Sequence, residues 1–336
     1  MPSIPRRPLG RTGLVVSRLG LGLAAVGRPG YINLGRDRDL PAARTPEALS
    51  QRAAELLDAA LAAGVRYVDA ARSYGRAEEF LSCWLAARGV GRDALTVGSK
   101  WGYRYTADWK VDAAVHEEKE LSLARFHTQL AETRALLGDR LDLYHIHSAT
   151  AESGCLADAV LLRALVESRR SGACRAVGLT LSGPGSARTL ELSLAARADG
   201  ERVFDVVQAT FNCLEPSLAG PLAAARASGL GVVVKEAFAN GRLTDGNRRP
   251  EDARLVQALR AAAAARSCSV DQLVLAFVLA QPFVDVVLSG AATVAQLRSH
   301  AGAFAVQLDD RARAVLGTLA ETPEEYWATR ARLPWS

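Results

Sequence analysis

Short runs rich in Val, Ile and Leu alternate along this chain with longer stretches in which apolar residues recur every three or four positions. The runs predict strands near 18–23, 65–69, 95–99, 141–147, 175–180, 204–208, 231–235 and 285–288. The periodic stretches predict helices at 48–63, 76–88, 119–138, 157–171, 186–198, 216–228, 252–281 in two pieces, and 293–302. Strands apolar on both faces, each followed by a helix and repeated eight times, point to a closed parallel barrel. The predicted fold is therefore α/β, a (β/α)8 TIM barrel formed by one domain over 1–336. In the stretch 119–138, Phe126, Leu130, Thr133 and Leu137 share one stripe, Glu117 and Glu118 lie near its start, and Gly138 is placed to end it. Ahead of the first strand, RRPLGRTGLVVSRLG predicts an N-terminal β-hairpin around Thr12 and Gly13 that plugs the barrel bottom. Two long connections, 27–45 and 101–115, leave the C-terminal ends of strands, the face on which barrel enzymes build their sites.

Composition narrows the class. The 336 residues are 49% hydrophobic and 23% charged, as in an ordinary globular protein, and aromatics at 6% leave the core to Ala, Leu and Val. The longest apolar run, 273–280, falls far short of the roughly 18 residues that span a bilayer. The opening MPSIPRRPLG has no apolar stretch of the secretory kind, so a cytoplasmic protein away from membranes is expected. The net charge of +5 is scattered without a basic run, which argues against a nucleic-acid partner. Only Lys100, Lys110, Lys119 and Lys235 are lysines, so a lysine at a functional position stands out. Cys83, Cys155, Cys174, Cys213 and Cys268 are widely spaced, with no zinc-like pattern and no disulfide framework; no metal is expected.

The ends of the second, third and fourth strands present Asp69, Lys100 and His147, and Tyr74 follows Asp69 in VDAARSYG. Each alone has a structural explanation: a strand end, a loop aromatic, a core histidine. Together on one barrel mouth they make a proton-handling site. An ammonium beside a phenol favours the phenolate, so Lys100 is expected to bring the Tyr74 pKa down by about 1–3 from its usual value near 10. Asp69 would pair with Lys100, and His147 would hydrogen-bond a substrate oxygen. His145, two residues earlier, faces the same side of a period-2 strand.

These residues, with LGRTGLVVSRLGLG, VGSKWG, LDLYHIHS and VVLSGAATVAQL in that order, resemble the aldo-keto reductase superfamily over nearly the whole chain. The resemblance assigns the catalytic tetrad to Asp69, Tyr74, Lys100 and His147. It implies reduction of an aldehyde or ketone to an alcohol, or the reverse, with hydride from a nicotinamide and a proton from Tyr74. The cofactor it implies is NADPH, with NADH as the alternative, held without a Rossmann motif; GLGLAAVG lacks the G-x-G-x-x-G spacing. Its contacts fall on Gly22, Leu23, Ala24, Asp69, Thr180, Gln208, Lys235, Glu236, Ala237, Phe238, Gly241, Leu243, Ser289, Gly290, Ala291, Gln296 and His300. Several depart from the family pattern: Thr180 stands for a serine, Leu181 for an asparagine, Lys235 for an aromatic, Ala237 for a proline and His300 for an asparagine. Ala291 and Gln296 occupy positions where the family often has a lysine and an arginine for the 2′-phosphate. Trp101 and Tyr103 are the candidate substrate contacts, within an aromatic loop that also holds Tyr105 and Trp109. A slow, redox-sensing regulatory subunit and an imine-reducing or isomerising enzyme on the same scaffold are the alternatives. The expected partner is a small carbonyl or alcohol; the sequence defines neither its identity nor the oligomeric state.

Overall fold

The computed structural model describes residues 3–336. Eight parallel strands close into a barrel in sequence order: β1 Leu19–Gly22, β2 Tyr67–Asp69, β3 Thr96–Trp101, β4 Leu143–Ala149, β5 Ala176–Leu181, β6 Val206–Thr210, β7 Gly231–Lys235 and β8 Val286–Ser289. The wall residues Leu21, Val68, Val97, Ile146, Val177, Leu179, Val207 and Val234 are buried against the surrounding helices. Those helices are α1 Pro46–Ala63, α2 Ala77–Arg88, α3 Leu123–Leu137, α4 Ala159–Arg170, α5 Ser186–Ala195, α6 Ala219–Ala227, α7 Ala253–Ala264, α8 Val270–Leu279 and α9 Val294–Gly302. Two further helices, α10 Asp310–Gly317 and α11 Pro323–Ala331, lie beyond the repeat, and Tyr326 of α11 packs into a second core around Leu243, Leu259 and Val270. No helix among the described residues is long and apolar enough to cross a membrane.

The predicted hairpin pairs Arg6–Pro8 with Val15–Ser17 and sends Leu9, Leu14 and Val16 into the barrel bottom against Tyr67, Val206, Val233 and Val286. Gly10 makes this seat possible. A Cβ there would lie 2.2 Å from the Gly231 nitrogen, and its φ of +51° is a conformation that glycine adopts without strain.

At the floor, side chains just ahead of the strands take the first backbone N–H groups. Ser17 Oγ accepts from Arg66 N at 2.6 Å, Asp142 from Val97 N at 2.9 Å, Asp205 from Val177 N at 3.0 Å and Asp285 from Val232 N at 2.9 Å. Each bond ties one odd strand to the even strand after it, where the ladder begins and donors would otherwise go unpaired.

Two predicted boundaries shift for local reasons. Glu117–Lys119 does not start α3; it forms a small antiparallel pair with Tyr103–Tyr105, and the helix starts after Ser122, whose hydroxyl accepts from Arg125 N. The stretch predicted to continue α5 ends at Ala195, and Arg197–Ala198 turns into a hairpin with Glu201–Arg202.

Candidate active site

Asp69 ends β2, and the chain turns over the rim so that Ala70 N donates to Gly98 O at 2.8 Å and Arg72 N to Lys100 O at 3.0 Å. That turn hangs on β3 and carries Tyr74 over the mouth. Lys100 donates to Asp69 Oδ2 and, at 2.9 Å, to the Ala70 carbonyl, while its Nζ lies 4.7 Å from the Tyr74 ring centre. The other Asp69 oxygen accepts from Tyr67 Oη and Gln208 Nε2, each at 3.1 Å. His147 meets Tyr74 edge-on at 5.5 Å and Tyr103 at 4.9 Å. The structure thus brings Asp69, Tyr74, Lys100 and His147 together.

β4 is irregular beyond Ile146, and Ser148, with a φ of +54°, donates its N–H to Thr180 Oγ1 at 2.7 Å. His147 therefore reaches the mouth, whereas His145 lies beneath it, fully buried and without a side-chain hydrogen-bond partner among the described residues. The barrel leaves room for that ring at Gly178, where a Cβ would stand 2.6 Å from His145 Nδ1.

The electrostatics differ from the sequence expectation. Burial pushes the Tyr74 hydroxyl well above the usual phenol range, Asp69 adds to the rise, and Arg28 opposes it. Lys100 does not bring Tyr74 down because Asp69 is paired with its charge. Burial, then Lys100 and Lys235, hold His147 well below 6.5, so its imidazole is neutral. Burial also lowers Lys235, to about 8. Glu236 sits at about 2: burial favours its neutral form, but Arg330 and Lys235 outweigh that.

A cavity of about 210 Å3 opens above the four residues. Of the positions singled out from sequence, Gly22, Ala24, Asp69, Tyr74, Tyr103, His147, Gln208, Lys235, Glu236, Ala237, Phe238, Ser289 and Gly290 line it. Trp101 is not brought to it: the ring is fully buried in the wall, 5.1 Å from Phe126. Leu23 and Ala291 are buried in the same outer core, and Gly241 and Leu243 are buried as well, Leu243 within the second core. Thr180 is fully buried with its hydroxyl accepting from Ser148 N, and Ser182, two residues on, lines the cavity instead. Gln296 caps α9, accepting from Ala292 N and Thr293 N and donating to Asp39 Oδ2 at 2.8 Å. His300 is buried, its Nδ1 2.8 Å from Ser289 Oγ and its ring against Phe238.

Lys235 donates to Thr210 Oγ1 at 2.9 Å and lies 3.6 Å from Glu236, which Arg330 grips with both Nε and Nη2. The first long connection, the segment after the second and the C-terminal tail close over this floor: Glu117 accepts from Arg28, and His116 stacks on Trp335 at 3.8 Å. Sequence reasoning missed Ser182, Arg28, Glu117, Asp39 and Arg330. The alternation of β5 gives a signal for Ser182 alone; the rest sit on aperiodic loops or on α11, outside the eightfold rhythm.

The aldo/keto reductase family model matches residues 19–317. The chain is 27% identical to the uncharacterized oxidoreductase YrpG of Bacillus subtilis, over 95% of this chain and 98% of the relative. It is 23% identical to an NADH-specific methylglyoxal reductase of Escherichia coli, over 94% and 98%. An aldo-keto reductase from Bacillus halodurans, solved in its holo form, superposes with a TM-score of 0.71 at 20% identity, covering 95% of this chain and 97% of that one.

Proposed function

The chain belongs to the aldo/keto reductase family, and from that premise we propose that it interconverts an aldehyde or ketone and its alcohol with a nicotinamide cofactor, Tyr74 moving the proton. The observation that carries this reading is the placement of a phenol and a neutral imidazole on one cavity, with the buried, paired Lys100 against the phenol ring.

The chain's residues fit a nicotinamide. The Gln208 amide donates to Asp69, while its carbonyl oxygen has no donor among the described residues, which suits a carboxamide N–H. The Ser182 hydroxyl lies on the same cavity. Ser289 and Gly290 line its edge at the end of β8, and no atom stands within 4 Å of where a Gly290 Cβ would be, so a ligand can approach the backbone there. When bound, a nicotinamide supplies or accepts the hydride. Tyr74 gives its proton to the carbonyl oxygen as negative charge builds there. Lys100 and Asp69 hold the charge around it, and the neutral His147 offers a ring N–H to the same oxygen.

NADH suits these residues better than the NADPH expected from sequence. Asp39 is bonded to Gln296, one of the two positions the resemblance gives to the 2′-phosphate, and a carboxylate there opposes a phosphate and suits ribose hydroxyls. A relative bearing the name of an NADH-specific reductase supports the same choice.

The test is oxidation of NADH and of NADPH against a panel of small aldehydes and ketones. Tyr74→Phe should lower turnover by about 10²–10⁴-fold, while titrated nucleotide binding stays close to wild type. A variant retaining more than a tenth of the rate removes Tyr74 as the proton donor.

A further inference from the structure

Three cations line the cavity: Arg28, Lys235 and Arg330. Two are committed to the protein, Arg330 through both Glu236 oxygens and Lys235 through Thr210 and Glu236. Arg28 differs. It sits on the loop after β1, with its side chain only 2% exposed, and Nη1 alone is engaged, donating to Ser73 O at 2.9 Å and Glu117 Oε2 at 2.8 Å. Its Nε has no partner, and Nη2 makes no hydrogen bond among the described residues. A buried guanidinium with one edge unspent is costly unless something accepts from it.

We propose that Arg28 anchors a carboxylate of the substrate, so that the carbonyl compound this site takes is a short oxo acid. The proposal rests on the carbonyl-reductase reading above and adds the substrate class. Three features support it. Nη2 can give a carboxylate a charge-assisted hydrogen bond from the planar guanidinium, while Nε is closed to solvent. The guanidinium lies 5.5 Å from the Tyr74 ring centre, so a carbonyl oxygen at Tyr74 and a carboxylate at Arg28 belong to a molecule of a few carbons. The rings of Tyr31 and Trp335, 5.1 and 4.9 Å from the same guanidinium, flank the cation and exclude water, which strengthens a charged hydrogen bond formed there. Glu117, about a quarter exposed, is the internal carboxylate that such a substrate would rival for the same cation.

The experiment compares succinic semialdehyde with pentanal, a neutral aldehyde of similar length, in wild type, Arg28→Met, Arg28→Lys and Glu117→Gln. Binding of succinate to the same four proteins is followed by the fluorescence of Trp335, which adjoins Arg28. Wild type should prefer the oxo acid in kcat/KM by about 10- to 100-fold, the factor a charge-assisted hydrogen bond supplies. Arg28→Met should bring that ratio near one and abolish succinate binding, whichever way its absolute rates move. Arg28→Lys, keeping the charge without the planar guanidinium, should fall between, and Glu117→Gln should tighten succinate. A wild type without preference, or an Arg28→Met that keeps the preference, overturns the anchor. So does succinate binding that is absent in wild type or unaltered in Arg28→Met. If neither aldehyde reacts yet succinate binding depends on Arg28, the reductase reading fails and the anion site stands.

Discussion

Acid should weaken this fold through a residue that takes no part in the proposed chemistry. His145 is fully buried inside the barrel, has no side-chain hydrogen-bond partner among the described residues, and titrates at about 4 instead of 6.5, with burial as the main cause. Such a ring favours the folded chain only while neutral. Its contribution is complete above pH 6.5 and is lost as the pH falls toward 4, because the unfolded chain takes up the proton first. The whole gap is worth about 3 kcal/mol, of which about 2 kcal/mol is gone at pH 5. His145→Leu removes the titration and two buried polar nitrogens together, so stability at neutral pH should hold or rise. Urea unfolding followed by far-UV circular dichroism at neutral pH and at about pH 5 makes the comparison. Between the two, wild type should lose about 2 kcal/mol more than the variant. His300 is present in both proteins, and His147 keeps burial, Lys100 and Lys235 as its leading causes in both, so most of their effect cancels. Parallel losses in the two proteins would refute the reasoning and mean that His145 keeps its ordinary affinity for protons inside the barrel.

Three other outcomes follow from particular contacts. Lys235→Met leaves Thr210 and Glu236 without their ammonium, so stability should drop by about 1–3 kcal/mol, while the nucleotide dissociation constant moves less than about threefold; a tenfold weakening would mean that Lys235 contacts a cofactor phosphate. Asp39→Asn keeps an acceptor for Gln296 and removes the charge, so titrations should show NADPH gaining on NADH by about five- to tenfold; an unchanged ratio removes Asp39 from cofactor choice. Gly10→Ala drives a methyl onto the Gly231 nitrogen at 2.2 Å and should cost more than about 3 kcal/mol, read as a fall in thermal midpoint; a loss below about 1 kcal/mol would mean that the hairpin is not seated as described.

The barrel is legible because its signal is distributed. Strands apolar on both faces recur at regular intervals, and each observed strand falls within about two residues of its predicted span. Asp69, Lys100 and His147 are legible for the same reason, since strand ends are what the pattern locates. What escapes is set by single bonds. The start of α1 needed Thr45, whose hydroxyl accepts from Ala48 N with Pro46 at the first helical position, a local cap outside the apolar rhythm. Thr180 and Ser182 share a strand direction, and only the turn at Ser148 decides which hydroxyl faces the cavity. Trp101 looks like a substrate contact by position, yet its ring has a place against Phe126 that no periodicity announces. Arg28, Glu117 and Arg330 lie where apolar spacing carries no information at all. The Tyr74 expectation counted one neighbour, Lys100, and omitted the desolvation that a sequence does not display.

The four floor bonds from Ser17, Asp142, Asp205 and Asp285 divide the barrel into quarters, each an odd and an even strand with a seam of its own. The amides of Arg66, Val97, Val177 and Val232 donate to side chains there, so one substitution can release a single seam while the other three stay latched. Three latches are carboxylates and one is a hydroxyl. Read by hydrogen exchange, those four amides report the opening of four neighbouring cooperative units separately. The closed ladder of eight strands thus carries four side-chain latches at its floor, and the one made by Ser17, which joins β1 to β2 below Asp69, is the one without a charge.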